Sequence, residues 1–308
     1  MKFNKIILAG GAGSLGTKLA EYYSDKANEI VILSRKPKAP QGNIRTVVWD
    51  AKTAGDWIKE LDGSDILINL CGKNVNCRYT DKNKAEILSS RLVPTRLLGE
   101  VIARSENPPA LWLNAASATI YRHAEDRPQN EETGEIGYGF SIDVCKQWEQ
   151  TFFEQQTPKT RKVALRIGIV LSRNGGAFPA LCNLVKFGLG GKQGDGRQYV
   201  TWVHEQDVAA ITEWTYDHPE INGVVNVTSP NALPNTDVMR IIRDTYGIPV
   251  GLPSPKWLLE IGAALIGTET ELVLKSRWVY PKLLLDSGYQ FQYPEAAHAI
   301  HDLLSIKS

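Results

Sequence analysis

The segment Gly10-Gly11-Ala12-Gly13-Ser14-Leu15-Gly16 constrains this chain more than any other. It follows a short apolar run, Lys5–Ala9, that suits a buried parallel strand, and precedes Thr17–Tyr23, whose apolar residues fall at helical spacing. A strand that enters a helix through glycines presents bare main-chain N–H groups at the helix N-terminus. An anion is favoured there, and side chains would obstruct it. Gly10 suits the tight turn, Gly13 the close approach of a ligand, and Gly16 the close packing of helix on strand. The spacing points to the diphosphate of a dinucleotide held by Gly10, Gly13, Ser14, Leu15 and Gly16. The bland alternative is a turn without a ligand.

The rest of the chain alternates in the same way. Further strands are expected at Glu29–Leu33, Arg45–Trp49, Ile66–Leu70, Leu111–Ala115 and Val163–Ile167. Helices are expected near Trp57–Leu61, over Lys82–Ala103 with an interruption at Pro94, and over Ser141–Glu154. This pattern predicts an α/β, Rossmann-type doubly wound parallel sheet. Beyond residue 170 the texture becomes rich in glycine and proline. The reading is a dinucleotide-binding domain at 1–170 and a smaller α/β substrate lobe at 171–308, with 224–228 returning to the main sheet.

Composition excludes several classes. Lys+Arg is 35 and Asp+Glu is 34, a net charge of +1, so nothing draws the chain toward nucleic acid or an anionic membrane. The longest apolar stretch, Trp257–Ile266, is broken by Glu260 and is too short to span a bilayer. Cys71, Cys77, Cys145 and Cys182 form no CxxC and no metal-ligand spacing, which predicts reduced core thiols and no metal. The N-terminus lacks a signal-peptide pattern, and the chain reads as cytoplasmic.

The end of the second strand discriminates between dinucleotides. NAD-selective chains place a carboxylate there for the ribose 2′-OH, whereas arginine suits a 2′-phosphate. Here Ser34-Arg35-Lys36 stands at that point with no acid. The expectation is NADP, with NAD the alternative.

These segments, with Asp65–Gly72, Ser90-Arg91, Thr95–Leu98, Ser117–Tyr121, Cys145–Glu149, Leu165–Ser172, Gly188–Gly191, Trp202–Asp207 and Pro281–Leu284, resemble an extended short-chain dehydrogenase/reductase. More narrowly, they resemble the epimerase-like branch of the NAD-dependent epimerase/dehydratase family, which lacks the YxxxK motif. The resemblance covers nearly the whole chain. It implies that Leu70, Cys71 and Gly72 line the adenosine side of the cofactor, that Asp50 faces the adenine, and that Ala115, Ala116 and Ser117 run beside the nicotinamide ribose.

Ordinary members use Ser, Tyr and Lys, the last two one helical turn apart so that the ammonium lowers the phenol's pKa. Ser117 matches the serine. No YxxxK exists: Tyr138 plus four and Lys146 minus four both give Ile142. Tyr121, four residues after Ser117, is the obvious substitute; the alternative is a tyrosine packed at the lobe interface with its hydroxyl satisfied. Relatives usually have Tyr-Gly after it, where this chain has Arg122-His123. Asp143 and Cys145 read as helix surface and core thiol. Arg166 is expected either to touch cofactor or substrate or to form an ion pair. His204 and Asp207 read as a helix start, with Asp207 near the cap. Trp202 reads as core. The Gly188–Gly196 loop, with Lys192 and Arg197, reads as a flexible basic connection that could admit an anionic nucleotide sugar. The chain thus reads as an NADP-dependent, epimerase-like oxidoreductase for a small carbonyl or hydroxyl substrate, monomeric or homodimeric. The alternative is a non-catalytic dinucleotide sensor.

Overall fold

In the computed structural model, residues 1–257, 259–260 and 274–305 are described. Of the apolar stretch Trp257–Ile266, Leu258 and residues 261–266 lie outside them. Among the described residues, no helix is long and apolar enough to cross a membrane.

Seven parallel strands form one sheet: β1 Phe3–Ala9, β2 Ala27–Ser34, β3 Ile44–Val48, β4 Ile66–Asn69, β5 Leu111–Ser117, β6 Arg161–Ile167 and a strand at Gly223–Val227. The last pairs with β6, so the order across the sheet is Gly223–Val227, β6, β5, β4, β1, β2, β3. The chain winds to one side from β1 to β3, then crosses back to β4. The crevice between β1 and β4, at the carboxyl ends, is where an open α/β sheet binds ligands.

Period-two alternation divides the strand residues between two helical layers. Ile6, Leu8, Ile30, Ile32, Ile66, Ile68, Leu111 and Leu113 face one side, where Leu19, Ala20 and Tyr23 of α1 (Ser14–Tyr23) cover them. Ile7, Ala9, Val31, Leu33, Leu67 and Trp112 face the other. There they meet Leu98, Val101 and Ile102 of α2 (Asp81–Arg104) and Phe152 of α3 (Phe140–Phe153). Both faces are apolar, as a parallel sheet covered on both sides requires.

Two local expectations are corrected. The helix near Trp57 is a 3-10 turn, Asp56–Glu60. α2 runs through Pro94 without interruption. Pro94 has no N–H to donate to the Ser90 carbonyl; beside it the Thr95 hydroxyl donates to the Arg91 carbonyl at 2.7 Å.

After β6 the chain alternates between the sheet and a second core. The short strands β7 (Ile169–Leu171) and β9 (Trp202–His204) pair in parallel, and β8 (Tyr199–Val200) pairs with Leu233–Pro234. Helices α4 (Phe178–Lys186), α6 (Asn235–Thr245) and the last helix, Ala296–Leu304, enclose Phe178, Cys182, Val185, Trp202, Met239, Ile242 and Ile300. Trp202 is core, its Nε1 donating to the Asn231 carbonyl. Between these segments α5 (Glu205–Asp217) returns to the sheet, setting Val208, Ala209 and Ile211 against the α1 layer.

Candidate functional site

The carboxyl edge of the sheet gathers the residues the sequence singled out. Gly10 turns at φ +72°, its N–H donating to the Leu33 carbonyl at 2.9 Å. A side chain there would be strained and would also meet the Cys71 sulfur. Gly16 is held to glycine by the turn itself: a Cβ would stand 2.2 Å from the Gly11 carbonyl oxygen. The close packing is therefore helix against turn, not helix against strand. Gly13 differs from both. It is the N-cap of α1, in extended conformation, and a Cβ there would meet nothing within 4 Å. No side chain caps the helix. The N–H groups of Ser14 and Leu15, in the first turn, thus face an open cradle. This chemistry fits a dinucleotide diphosphate. The loop after β7 borders the cradle, with Ser172 Oγ 3.2 Å from Ser14 Oγ and Gly175 packed on the Ser14 side chain.

At the end of β2, Ser34 is buried, and its Oγ accepts from the Lys36 N–H at 3.3 Å. Arg35 is exposed and has no ion partner among the described residues. Its charge reaches the Cys71 thiol, which burial nevertheless pushes up to about 12. Leu70 and Cys71 close the turn from β4: Leu70 N–H donates to the Ala9 carbonyl at 2.8 Å and Cys71 N–H to Asn69 Oδ1 at 3.1 Å. Gly72 is exposed. Asp50 directs its carboxylate into its own loop. It accepts from the Lys52 and Thr53 N–H groups and the Thr53 hydroxyl, all at 2.8 Å. The Thr53 amide first, then that of Lys52, holds its pKa below the ordinary value.

At the end of β5, Ala115 and Ser117 are partly exposed and Ala116 is buried. Ser117 Oγ accepts from the Thr119 N–H at 3.2 Å, capping the short turn Ala118–Ile120. Cys145 of α3 packs beside Ala118, and its thiol is also pushed up to about 12 by burial. Tyr138 is 91% exposed, whereas Ile142 is fully buried.

Tyr121 and Arg166 take the structural alternative that the sequence left open for each. Tyr121 is wholly buried; its hydroxyl accepts from Arg166 Nη1 at 2.8 Å and donates to Asn226 Oδ1 at 3.0 Å. Burial raises the phenol's pKa. Arg166 forms a bidentate pair with Glu149, both bonds 2.8 Å. Burial works against its charge, but the Glu149 hydrogen bonds outweigh that and raise its pKa. Together they form a network that ties β6, α3 and the Gly223–Val227 strand to one another. The Tyr121 hydroxyl both accepts and donates within the protein, and the Arg166 charge is matched by Glu149.

The sequence reading also missed a second buried network. Asn69 Nδ2 donates to Asn114 Oδ1 (2.7 Å) and Thr95 Oγ1 (3.2 Å), and Trp148 Nε1 also donates to Thr95 Oγ1 (3.2 Å). It pins α2 and α3 beneath the cleft. Its signal was an asparagine in each of two otherwise apolar strands, at the end of β4 and in the middle of β5. The cap of α5 is His204, whose Nδ1 accepts from the Gln206 N–H at 3.2 Å, not Asp207. Asp207 is buried and accepts from the Gln292 and Tyr293 amides and the Tyr289 hydroxyl, anchoring the C-terminal segment. The Gly188–Gly196 loop is tied down rather than free. Gly191 and Gly194 N–H groups donate to the Leu252 and Ser254 carbonyls, and Arg197 pairs with Asp195. The four cysteines are free thiols; Cys77 is partly exposed rather than core.

A doubly wound sheet with an uncapped glycine turn at its switch point defines a nucleotide-binding α/β protein. The family model for the NAD dependent epimerase/dehydratase family matches residues 6–228, and the chain belongs to that family. A domain of unknown function, DUF1731, matches residues 254–303. The chain is 29% identical over 301 residues to the epimerase family protein YfhF of Bacillus subtilis (strain 168), covering 97% of this chain and 98% of that one. The crystal structure of human epimerase family protein SDR39U1 (isoform2) with NADPH superposes with a TM-score of 0.86 at 26% identity. It covers 97% of this chain and 98% of the human one. The nucleoside-diphosphate sugar epimerase of Corynebacterium glutamicum superposes with a TM-score of 0.76 at 28% identity, over 97% of this chain and 58% of that one.

Proposed function

We propose that this chain is an NADP-dependent, epimerase-like oxidoreductase acting on a small carbonyl or hydroxyl substrate. The observation that carries the reading is the open, uncapped cradle at Gly13 together with an exposed Arg35 that has no ion partner among the described residues. A guanidinium at that position answers a 2′-phosphate by charge and by its planar fork. The human relative bound to NADPH supports the choice. When bound, such a dinucleotide supplies hydride-transfer chemistry.

The chain's own residues would divide the work of holding it. The Ser14 and Leu15 amides, kept accessible by Gly10, Gly13 and Gly16, would meet the diphosphate. Ser34 and Arg35 would meet the phosphorylated ribose, and Leu70–Gly72 the adenosine. Asp50, its carboxylate occupied by Lys52 and Thr53, would offer the adenine mainly the wall of its loop. Ala115–Ser117 would flank the other ribose. Ser117 Oγ, which among the described residues only accepts a hydrogen bond, would have its own proton to donate to a substrate oxygen. With Tyr121 enclosed, water would carry the proton onward. The Corynebacterium relative supports a nucleotide sugar as the substrate class. The same reading places the chain in the cytoplasm, as a monomer or homodimer whose partners are small molecules. The enclosure of Tyr121 favours a second reading, a dinucleotide sensor without turnover.

Titration of the purified chain with NADPH and NADH tests the reading. NADPH should bind more tightly, and Arg35→Ala should weaken it about 10–100-fold, the worth of a charge-assisted hydrogen bond of about 1.5–3 kcal/mol, while leaving NADH nearly unchanged. Preference for NADH, or indifference of NADPH to the substitution, refutes it. Hydride exchange into candidate nucleotide sugars separates enzyme from sensor.

A further inference from the structure

The wall of the cleft holds a cation that the proposed function leaves unused. Arg91 is partly buried on α2. Its Nη1 donates to the Ile87 carbonyl at 2.9 Å and the Lys73 carbonyl at 3.2 Å, and the guanidinium lies 5.1 Å from the Trp148 ring centroid. These contacts hold the group in place without neutralising it. Among the described residues no carboxylate pairs with it, and its Nε and Nη2 have no hydrogen-bond partner. Arg166, also enclosed, is matched by Glu149. Burial pushes the Arg91 pKa down, as expected of a cation without a counter-charge.

Among the described residues, the titratable groups that act on its charge are neutral ones. They include Tyr79 and the protonated Cys145, and Cys145 packs against Ala118 beside Ser117. Gly72 lies against the guanidinium. A Cβ there would come within 3.1 Å of its central carbon, so glycine keeps that face clear. A partly buried guanidinium with unused donors, fixed by carbonyls and bordered by glycine, is suited to bind an oxyanion.

We infer that Arg91 is the centre of an anion-binding position in the cleft, separate from the glycine turn, that takes a carboxylate or phosphate group. The anion is either a phosphate of the dinucleotide or an acidic group of the substrate. The inference rests on the proposed function only in taking this cleft to be a ligand site.

The test uses the full chain and its Arg91→Met variant, with Arg91→Gln measured by the same criteria should the first fail to fold. One arm titrates NADPH. The other titrates NADPH-saturated protein with malonate and with inorganic phosphate by calorimetry. Loss of about tenfold or more in malonate or phosphate affinity, with NADPH binding unchanged, assigns the position to the substrate. A comparable loss of NADPH affinity assigns it to the dinucleotide and equally supports the site. A variant that keeps wild-type behaviour in both arms overturns the inference, including the case where neither protein binds either small anion. Should the wild-type chain bind no NADPH, the second arm is run on the free protein. Arg91-dependent anion binding there sustains the inference while the dinucleotide reading fails, and its absence ends both.

Discussion

Replacing Gly13 by alanine separates the cradle's role in binding from its role in folding. Gly13 has φ −84° and ψ 178°, a conformation open to any residue, and the added methyl would meet no atom within 4 Å. As an N-cap, alanine is worse than glycine by up to about 1 kcal/mol. Restricting the unfolded chain returns about 0.4–1 kcal/mol. The two effects offset, so the melting temperature should move by no more than about 2 °C. The same methyl occupies the approach to the Ser14 and Leu15 amides. Each hydrogen bond from an amide to a charged oxygen is worth about 1.5–3 kcal/mol, so losing two weakens binding by at least about 100-fold. Gly16→Ala is the control, since its Cβ would lie 2.2 Å from backbone oxygen and must displace the turn. It should lower both melting temperature and affinity. The assay is thermal denaturation with and without NADPH, joined to a calorimetric titration. Gly13→Ala with wild-type NADPH affinity, or with a melting loss as large as that of Gly16→Ala, would refute the reasoning.

Other substitutions probe the buried networks. Tyr121→Phe strands an Arg166 donor and the Asn226 acceptor, and should cost about 1–3 kcal/mol in urea unfolding while leaving NADPH affinity intact; unchanged stability with lost hydride exchange would restore Tyr121 as a catalytic residue. Glu149→Gln leaves the Arg166 charge uncompensated and should cost about 3–5 kcal/mol, more than the Tyr121 change; a smaller cost would show that the pair is not closed to water. His204 is buried against Tyr293, and burial lowers its pKa to about 4 despite Asp302 at 3.4 Å. The unfolded chain takes up this proton near pH 6.5, so stability should be full above that and fall by about 3 kcal/mol as pH drops toward 4. Unfolding at pH 7.5 and 5.0 should show less of this dependence in His204→Asn, which keeps a capping side chain, and an identical slope in both proteins would discount the histidine.

The sheet was legible because its determinants are local. A parallel strand covered on both faces is apolar along most of its length, and the runs Ile6–Ala9, Ile30–Leu33, Ile66–Ile68 and Leu111–Leu113 carry that mark, while the edge strand β3 carries Arg45 and Thr46. The glycine turn was legible for the same reason, since Gly10 and Gly16 answer to a dihedral angle and to a contact within the turn. The missing YxxxK is likewise a statement about spacing along one helix. None of this needs a distant partner.

Burial of a polar side chain, by contrast, depends on what arrives from elsewhere in the chain. Tyr121 and Ser117 sit four apart in sequence, and both carry a hydroxyl that could serve the chemistry. Yet Asn226, 105 residues away, and Arg166 close over the phenol, while among the described residues the serine at the strand end only accepts a hydrogen bond. Asp207 looked like a cap until the segment near Tyr293 supplied its amides and left the capping to His204. Arg91 and Arg166 are the same residue type, but among the described residues only Arg166 of the two pairs with a carboxylate. Strand, turn and helix follow from neighbours in sequence; which charge is cancelled and which faces the cleft follows from long-range packing, because a buried polar group takes its character from the partners that desolvate it.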